Sequence, residues 1–295
     1  MKLFEKMTIQ TFSILTGSEA CNARCPFCVS KMTPPQGITL KEPEVNWRNF
    51  KKAALLAKQK DVTTTMITSK GEPTLFPQQI SKYLDALQEF QFPIIELQTN
   101  GTLLADEKND NYLKEWYEKG LTTIAISIVH YDPEKNRQIY LPYKKEYIDL
   151  PALINKLHKI GFSIRLACIL IDKLIDNSKD LERLILFAKQ NKAEQLTIRP
   201  VNKPNVSRNP AIYNWTTENH LKGEQLTEIK DYLIKNGIQL MRLGYESIAY
   251  DVNGQNVCLT NSLTIDPESD NLRQLIFFPD GHLRYDWQYI GAILI

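Results

Sequence analysis

Apolar and polar positions along the chain change period several times, and the changes come in a regular order. Short apolar runs rich in β-branched residues read as strands: IQTFSILTG from Ile9, TTTMITS from Thr63, PIIELQTN from Pro93, TTIAISIV from Thr122, SIRLACILI from Ser163 and AEQLTIRPV from Ala193. Between them, apolar residues recur at helical spacing in NWRNFKKAALLAKQ, FPQQISKYLDALQEF, NDNYLKEWYEKG, PALINKLHKIG and DLERLILFAKQ. Gly120 and Gly161 close two of these stretches as expected C-caps. Near-continuous apolar strands joined by helices predict a parallel sheet covered by helices, and a run of six such units predicts a barrel rather than a sandwich.

The pattern changes after Val201. NKPNVSRNPAIYNWTTENH is rich in Asn and Pro, shows no clear periodicity and reads as a loop. GEQLTEIKDYLIKNG reads as a helix ending at Gly237, and the tail as short antiparallel strands: IQLMRLGY, SIAYDV, QNVCLT, LRQLIFF and HLRYDW. Asn253-Gly254 and Pro279-Asp280-Gly281 are the expected hairpin turns. The expected fold class is α/β, a partial (β/α)6 TIM-type barrel over residues 1–220 with a helix and small β-hairpin extension over residues 221–295.

Composition adds bounds. With 295 residues, 43% hydrophobic and 24% charged, the chain can bury a substantial core. Lys and Arg total 36 against 34 acids, a net +2 that makes a nucleic-acid partner unexpected. No apolar run approaches the roughly 18 residues that span a bilayer. Glu5, Lys6 and Gln10 break the amino-terminal apolar stretch, so neither a signal peptide nor a membrane partner is expected. An odd cysteine count, five, fits a reducing compartment, and the expected location is the cytoplasm.

Three of those cysteines, Cys21, Cys25 and Cys28, crowd into CNARCPFC. A structural zinc site normally uses four ligands, often from two CxxC knuckles. Cys168 and Cys258 stand alone in apolar surroundings and read as packed cysteines, while His130 or His282 could complete a zinc site only without a knuckle. Three thiolates suit a cubane iron–sulfur cluster with one iron left open. The loop also follows the first strand, at the face where barrel enzymes place their sites. A zinc- or cluster-stabilised binding module without enzymatic activity is the alternative.

Polar residues at other strand ends are further candidates. In Gly71-Glu72-Pro73 the glycine allows close backbone approach and the proline stiffens the turn, although an ordinary helix start has the same composition. Gln98, Thr99 and Asn100 precede the turn at Gly101, where Asn100 is either site-facing or a turn cap. Arg165 sits among apolar neighbours and needs an anionic partner, either a ligand or Glu96. Arg199, Lys203, Arg208, Tyr213 and Trp215 could grip an anionic or planar substrate or belong to a solvated loop. His130, Tyr131 and Asp132 read as a loop leading into a helix at Asp132-Pro133, and Arg24 as a solvated charge.

The CxxxCxxC spacing, with an aromatic residue (Phe27) before the last cysteine, resembles the radical S-adenosylmethionine (SAM) superfamily. SKGEPTL resembles the GGEP motif of that family with Lys70 in place of the first glycine, a residue that tolerates positive φ poorly. ELQTNGTL, and AISIVH with Ser127, are further points of likeness, and the resemblance runs from about Thr8 to Val201. It implies that Cys21, Cys25 and Cys28 hold a 4Fe–4S cluster whose fourth iron is chelated by SAM. It further implies that Phe27 approaches the adenine, that Gly71, Glu72 and Pro73 meet the SAM ammonium, and that Asn100 faces the site. Ser127 would contact the ribose and Arg165 the SAM carboxylate. An electron from an external donor of flavodoxin or ferredoxin type would cleave SAM, and the 5′-deoxyadenosyl radical would abstract hydrogen from a small-molecule or peptide substrate. Activation of a partner enzyme and nucleotide or RNA modification begin with the same step and stand as alternatives. Cys168 and Cys258 are too few to hold an auxiliary cluster of the SPASM or twitch type.

Overall fold

The computed structural model describes residues 8–244, 247–261 and 271–295. The amino-terminal positions Glu5 and Lys6, and the Tyr245 end of the first expected tail strand, lie outside them. The expected strands form as β1 (Ile9–Leu15), β2 (Thr64–Thr68), β3 (Ile94–Thr99), β4 (Thr123–Ile128), β5 (Ser163–Leu170) and β6 (Gln195–Pro200). The helices between them are α1 (Val29–Met32), α2 (Trp47–Gln59), α3 (Pro77–Leu87), α4 (Asp110–Glu118), α5 (Pro133–Tyr140), α6 (Leu150–Ile160) and α7 (Ser178–Gln190). Side chains that accept from backbone N–H groups start several of them. Asn46 caps α2, Asp149 caps α6 and Asn177 caps α7, each accepting from the residue three positions on. Gly161 ends α6 at φ 119°, the left-handed conformation expected of a C-cap glycine.

The segment after Val201 corrects one expectation. Residues Pro210–Glu218 form a helix, α8, inside the stretch read as a loop. Its start is chemical rather than periodic: Asn209 accepts from the Ile212 N–H and Pro210 occupies the first turn. Helix α9 (Gly223–Asn236) follows, then β7 (Ile238–Leu243), β8 (Ser247–Val252), β9 (Gln255–Leu259), β10 (Leu272–Phe277) and β11 (Leu283–Arg284). The turn between β8 and β9 uses Asn253 at φ 54° and Gly254 at φ 83°, the paired positive values of a hairpin turn.

All described strands join one 11-stranded sheet in the order β11-β10-β1-β2-β3-β4-β5-β6-β9-β8-β7. Strands β1 to β6 run parallel, as in an open (β/α)6 barrel, and the carboxy-terminal strands extend both edges of it. β10 lies parallel beside β1, β9 lies parallel beside β6, and antiparallel partners follow outside each. Among the described residues the sheet does not close by strand pairing. Arg273 of β10 nevertheless reaches Asn261 O at 3.1 Å and Thr260 Oγ1 at 3.2 Å, just beyond β9, and ties the two parallel edges across the gap. The division expected near residue 220 falls before α9, and the strands on its two sides share the sheet.

Helices cover the outer face, and the main core lies between them and the sheet. Phe12, Phe50, Tyr83 and Trp116 are fully buried there. Phe50 packs at 5.2 Å from both Tyr83 and Phe277, which fastens the late strand β10 into the same core as the early helices. Among the described residues, no helix is long and apolar enough to cross a membrane.

Candidate active site

The loop after β1 carries the clustered cysteines and is pinned to the loop after β2. Ser69 Oγ donates to Ser18 O at 3.1 Å, and the Glu72 N–H donates to Ala20 O at 2.9 Å. A Cβ at Gly71 would sit 2.0 Å from Ala20 O, so only glycine permits this approach. Farther along, the Arg24 N–H donates to Tyr140 O at 2.9 Å and the Cys28 N–H to Cys25 O at 3.3 Å. Arg24 is exposed, as a solvated charge would be, and stacks its guanidinium 4.7 Å over the Tyr143 ring. The cysteine loop is thereby braced from two sides, by β2 and by α5.

Glu72 organises the adjoining strand ends. Its Oε1 accepts from the Thr74 N–H, the Thr74 hydroxyl and the Thr99 hydroxyl at 3.1, 2.6 and 2.6 Å. Its Oε2 accepts from the Asn100 N–H at 2.9 Å. Burial pushes this carboxyl upward, and the same hydrogen bonds oppose that shift. Asn100 passes the order on: its Nδ2 donates to Asn22 Oδ1 at 2.7 Å, within the cysteine loop itself. The loops after β1, β2 and β3 are therefore one hydrogen-bonded unit.

A cavity of about 210 Å³ opens at the carboxy ends of these strands. Its wall brings together Cys21, Cys25, Phe27 and Cys28 from the first loop, Lys70 to Pro73 from the second, Asn100 from the third and Ser127 from β4. A larger cavity of about 610 Å³ lies within the barrel. The two share Thr68, Ser69, Gln98, Ser127, Ile169 and Arg199 as lining, so they are contiguous.

Other expected site residues are placed differently. Arg165 lines the larger cavity and pairs with Glu96 rather than facing the cysteines. Its Nε donates to Glu96 Oε2 at 2.7 Å, a second nitrogen donates to Oε1, and Nη1 reaches Thr197 Oγ1 at 3.2 Å. The structure thus realises the Glu96 alternative, because a buried carboxylate on β3 lies within reach across β4 and pairs with the half-buried guanidinium. Phe27 packs between Tyr140 and Trp215, with ring centroids 6.2 and 6.1 Å away. Trp215 therefore belongs to the wall behind the cysteine loop. Lys203 folds back onto Tyr213 at 4.2 Å. His130 Nδ1 accepts from the Asp132 N–H at 2.9 Å, within the capping turn of α5. Cys168 is fully buried, and it and Cys258 line the larger cavity.

Lys70 keeps a negative φ among the described residues, so replacing the motif glycine leaves no left-handed strain there. Its side chain is buried, with Nζ donating to Thr33 Oγ1 at 2.7 Å and Pro34 O at 3.0 Å. The sequence reading also missed Tyr140 and Tyr147. Both hydroxyls are buried and have no hydrogen-bond partner among the described residues, and both residues pack in the small apolar cluster that includes Cys25. Tyr140, at the end of YDPEKNRQIY, carries no periodic signal that would mark it; only the fold brings it to the cysteines.

The donor set suits an iron–sulfur cluster. Burial pushes the Cys21 thiol up to about 11 and the Cys25 thiol higher, with Cys28 and Cys21 adding to the Cys25 shift. Without a cation these thiols stay protonated, and a bound metal cluster is what would hold them as thiolates. Tetrahedral zinc, with Zn–S of about 2.3 Å, needs its ligands converged on one point. The cavity wall brings together the thiols of Cys21, Cys25 and Cys28, one ligand short of a tetrahedral set. Three thiols along one wall, two buried tyrosine hydroxyls behind Cys25 without partners among the described residues, and a glycine-dependent loop beside them fit a cubane with an adjacent ligand.

The profile of the Radical SAM superfamily matches residues 15–188. The chain belongs to the radical SAM superfamily. That family implies a 4Fe–4S cluster and SAM as cofactors. Solved structures share the fold. Streptococcus suis SuiB bound to S-adenosylmethionine superposes with a TM-score of 0.60 at 14% identity, covering 94% of this chain and 60% of that one. Native anSMEcpe with bound AdoMet gives 0.59 at 14% identity, covering 95% and 75%. A radical SAM methyltransferase from Sphaerobacter thermophilus gives 0.54 at 13% identity, covering 88% and 67%. The chain spans about 60% of the length of the SuiB structures. No curated protein sequence matches it.

Proposed function

We propose that Cys21, Cys25 and Cys28 hold the 4Fe–4S cluster, that SAM occupies the cavity beside them, and that the substrate lies in the larger cavity within the barrel. The observation that carries this reading is the single wall shared by the three thiols and the ends of β2, β3 and β4. When bound, the cluster would supply one electron for reductive cleavage of SAM, with methionine as the leaving group, and SAM would supply the hydrogen-abstracting group. The chain's own residues orient the reactants. Gly71 lets the backbone of Lys70 to Pro73 approach the cysteine loop and present its carbonyls to an ammonium group. Glu72, saturated by Thr74, Thr99 and Asn100, holds these loops in register and acts on SAM by position rather than by its own carboxylate. Ser127 stands where the two cavities meet, as a ribose contact would.

The larger cavity, about 610 Å³, falls in the range of roughly 300–1,000 Å³ typical of small-ligand sites. Its lining includes Arg165, Arg199 and Arg273 with several Thr and Ser hydroxyls, which suits a polar small molecule. A peptide side chain entering from the barrel mouth is the second reading. It is favoured by the likeness to SuiB bound to precursor peptide SuiA, with a TM-score of 0.58 at 15% identity. The electron would come from an external flavodoxin- or ferredoxin-type donor. We assign the barrel over residues 1–220 as the catalytic unit and the strands beyond it as the element that narrows its open side.

Anaerobic reconstitution with iron and sulfide tests this assignment. The reduced wild-type protein should show an S = 1/2 electron paramagnetic resonance signal that changes when SAM is added, and alanine at any of the three cysteines should abolish it. One equivalent of zinc and no iron–sulfur signal would overturn it.

A further inference from the structure

Lys70 stands where the resemblance expects glycine, and nothing in the proposed chemistry requires a lysine there. Its ammonium is nevertheless fixed. Thr33 Oγ1 and Pro34 O accept from it, and the Trp287 ring lies 5.6 Å away. Thr33 is the C-cap of α1, the short helix whose N-cap is Cys28. At about 1.5 Å of rise per residue, the anchor lies one helix length, roughly 6–8 Å, from that cysteine. Lys70 and all three thiols line the same cavity. Arg208 and Arg284 add positive charge around it and Glu19 offsets part of it.

We propose that Lys70 is a positioning residue for the cluster's electrostatics: its buried ammonium stabilises the reduced, more negative state and raises the cluster's reduction potential. This rests on Cys21, Cys25 and Cys28 being the cluster ligands. A fixed charge in a partly dry site acts over such distances with little screening, and reduction adds one negative charge for it to stabilise. Burial lowers the Lys70 ammonium to about 8, so it is still mostly charged at neutral pH. An anionic cluster nearby would hold that proton more firmly. Hydrogen bonds to neutral acceptors keep the ammonium in place without cancelling its charge.

The test is a mediated reductive titration with dithionite, followed by electron paramagnetic resonance, on reconstituted wild type, Lys70→Met, Lys70→Gln and Lys70→Arg. The neutral variants should keep their iron content and shift the one-electron equilibrium about tenfold toward the oxidised cluster, a fall of about 59 mV. Lys70→Arg should keep the wild-type potential. Neutral variants with a wild-type potential would overturn the proposal, as would an arginine variant that falls with them. If both neutral variants lose the cluster while arginine retains it, the charge serves assembly and the proposal is wrong. A wild-type protein without a cluster would instead overturn the ligand assignment.

Discussion

Single atoms decide whether the cysteine loop and the SAM loop can lie together. Gly71→Ala would place a methyl group 2.0 Å from Ala20 O, where backbone must move. We expect this variant to fold with stability lowered by about 2 kcal/mol or more, and to lose SAM binding measured by equilibrium dialysis. Unchanged affinity would show that the approach is not needed. Tyr140→Phe separates the empty site from the loaded one. Its hydroxyl is buried without a partner among the described residues, so removing it should leave the cluster-free protein as stable or up to about 1 kcal/mol more stable. The loaded protein should lose iron faster to a chelator than wild type does; equal loss rates would deny the hydroxyl a role. The crowding of the three cysteines was legible in the sequence because it is a matter of local spacing, and the need for close approach at Gly71 because only glycine lacks a Cβ. The saturation of Glu72 and the burial of Tyr140 were not, because each depends on residues that only the fold brings near.

At the scale of elements, the six parallel strands were readable to within two residues at each end, since each carries a run of apolar, β-branched positions bounded by polar or turn residues. Helix α8 was missed because its signal is a cap and a proline, with only Thr216 buried along it. Arg165 was left open between two partners because β3 and β5 meet only through β4. The pairing with Glu96, which is 5% exposed, leads to a stability prediction. Arg165→Met should cost about 3–5 kcal/mol in urea unfolding by stranding the buried carboxylate, and adding Glu96→Gln should recover much of it. Equal losses in the single and double variants would mean that the pair contributes nothing specific.

Across the whole molecule, the carboxy-terminal strands were legible as strands but not as neighbours. Nothing in local pattern tells that β10 returns to β1 while β9 goes to β6. That topology makes the tail part of the barrel sheet. Phe277 packs on Phe50, and Arg273 bridges to Thr260 and Asn261. Deleting the chain from Ile238 onward would leave both β1 and β6 as bare edges beside exposed core. We expect the truncated protein to aggregate on expression, as read by size-exclusion chromatography. A monodisperse truncate that still cleaves SAM would refute the structural role of the tail.

The account as a whole turns on the thiols of CNARCPFC generating a radical from SAM. The most direct measurement is 5′-deoxyadenosine formed from SAM and dithionite by the anaerobically reconstituted protein, beside a Cys25→Ala control. The account predicts formation by the wild type and at least a hundredfold less from the control. Equal yields from the two proteins, or none from a wild type that carries a full cluster, would contradict it.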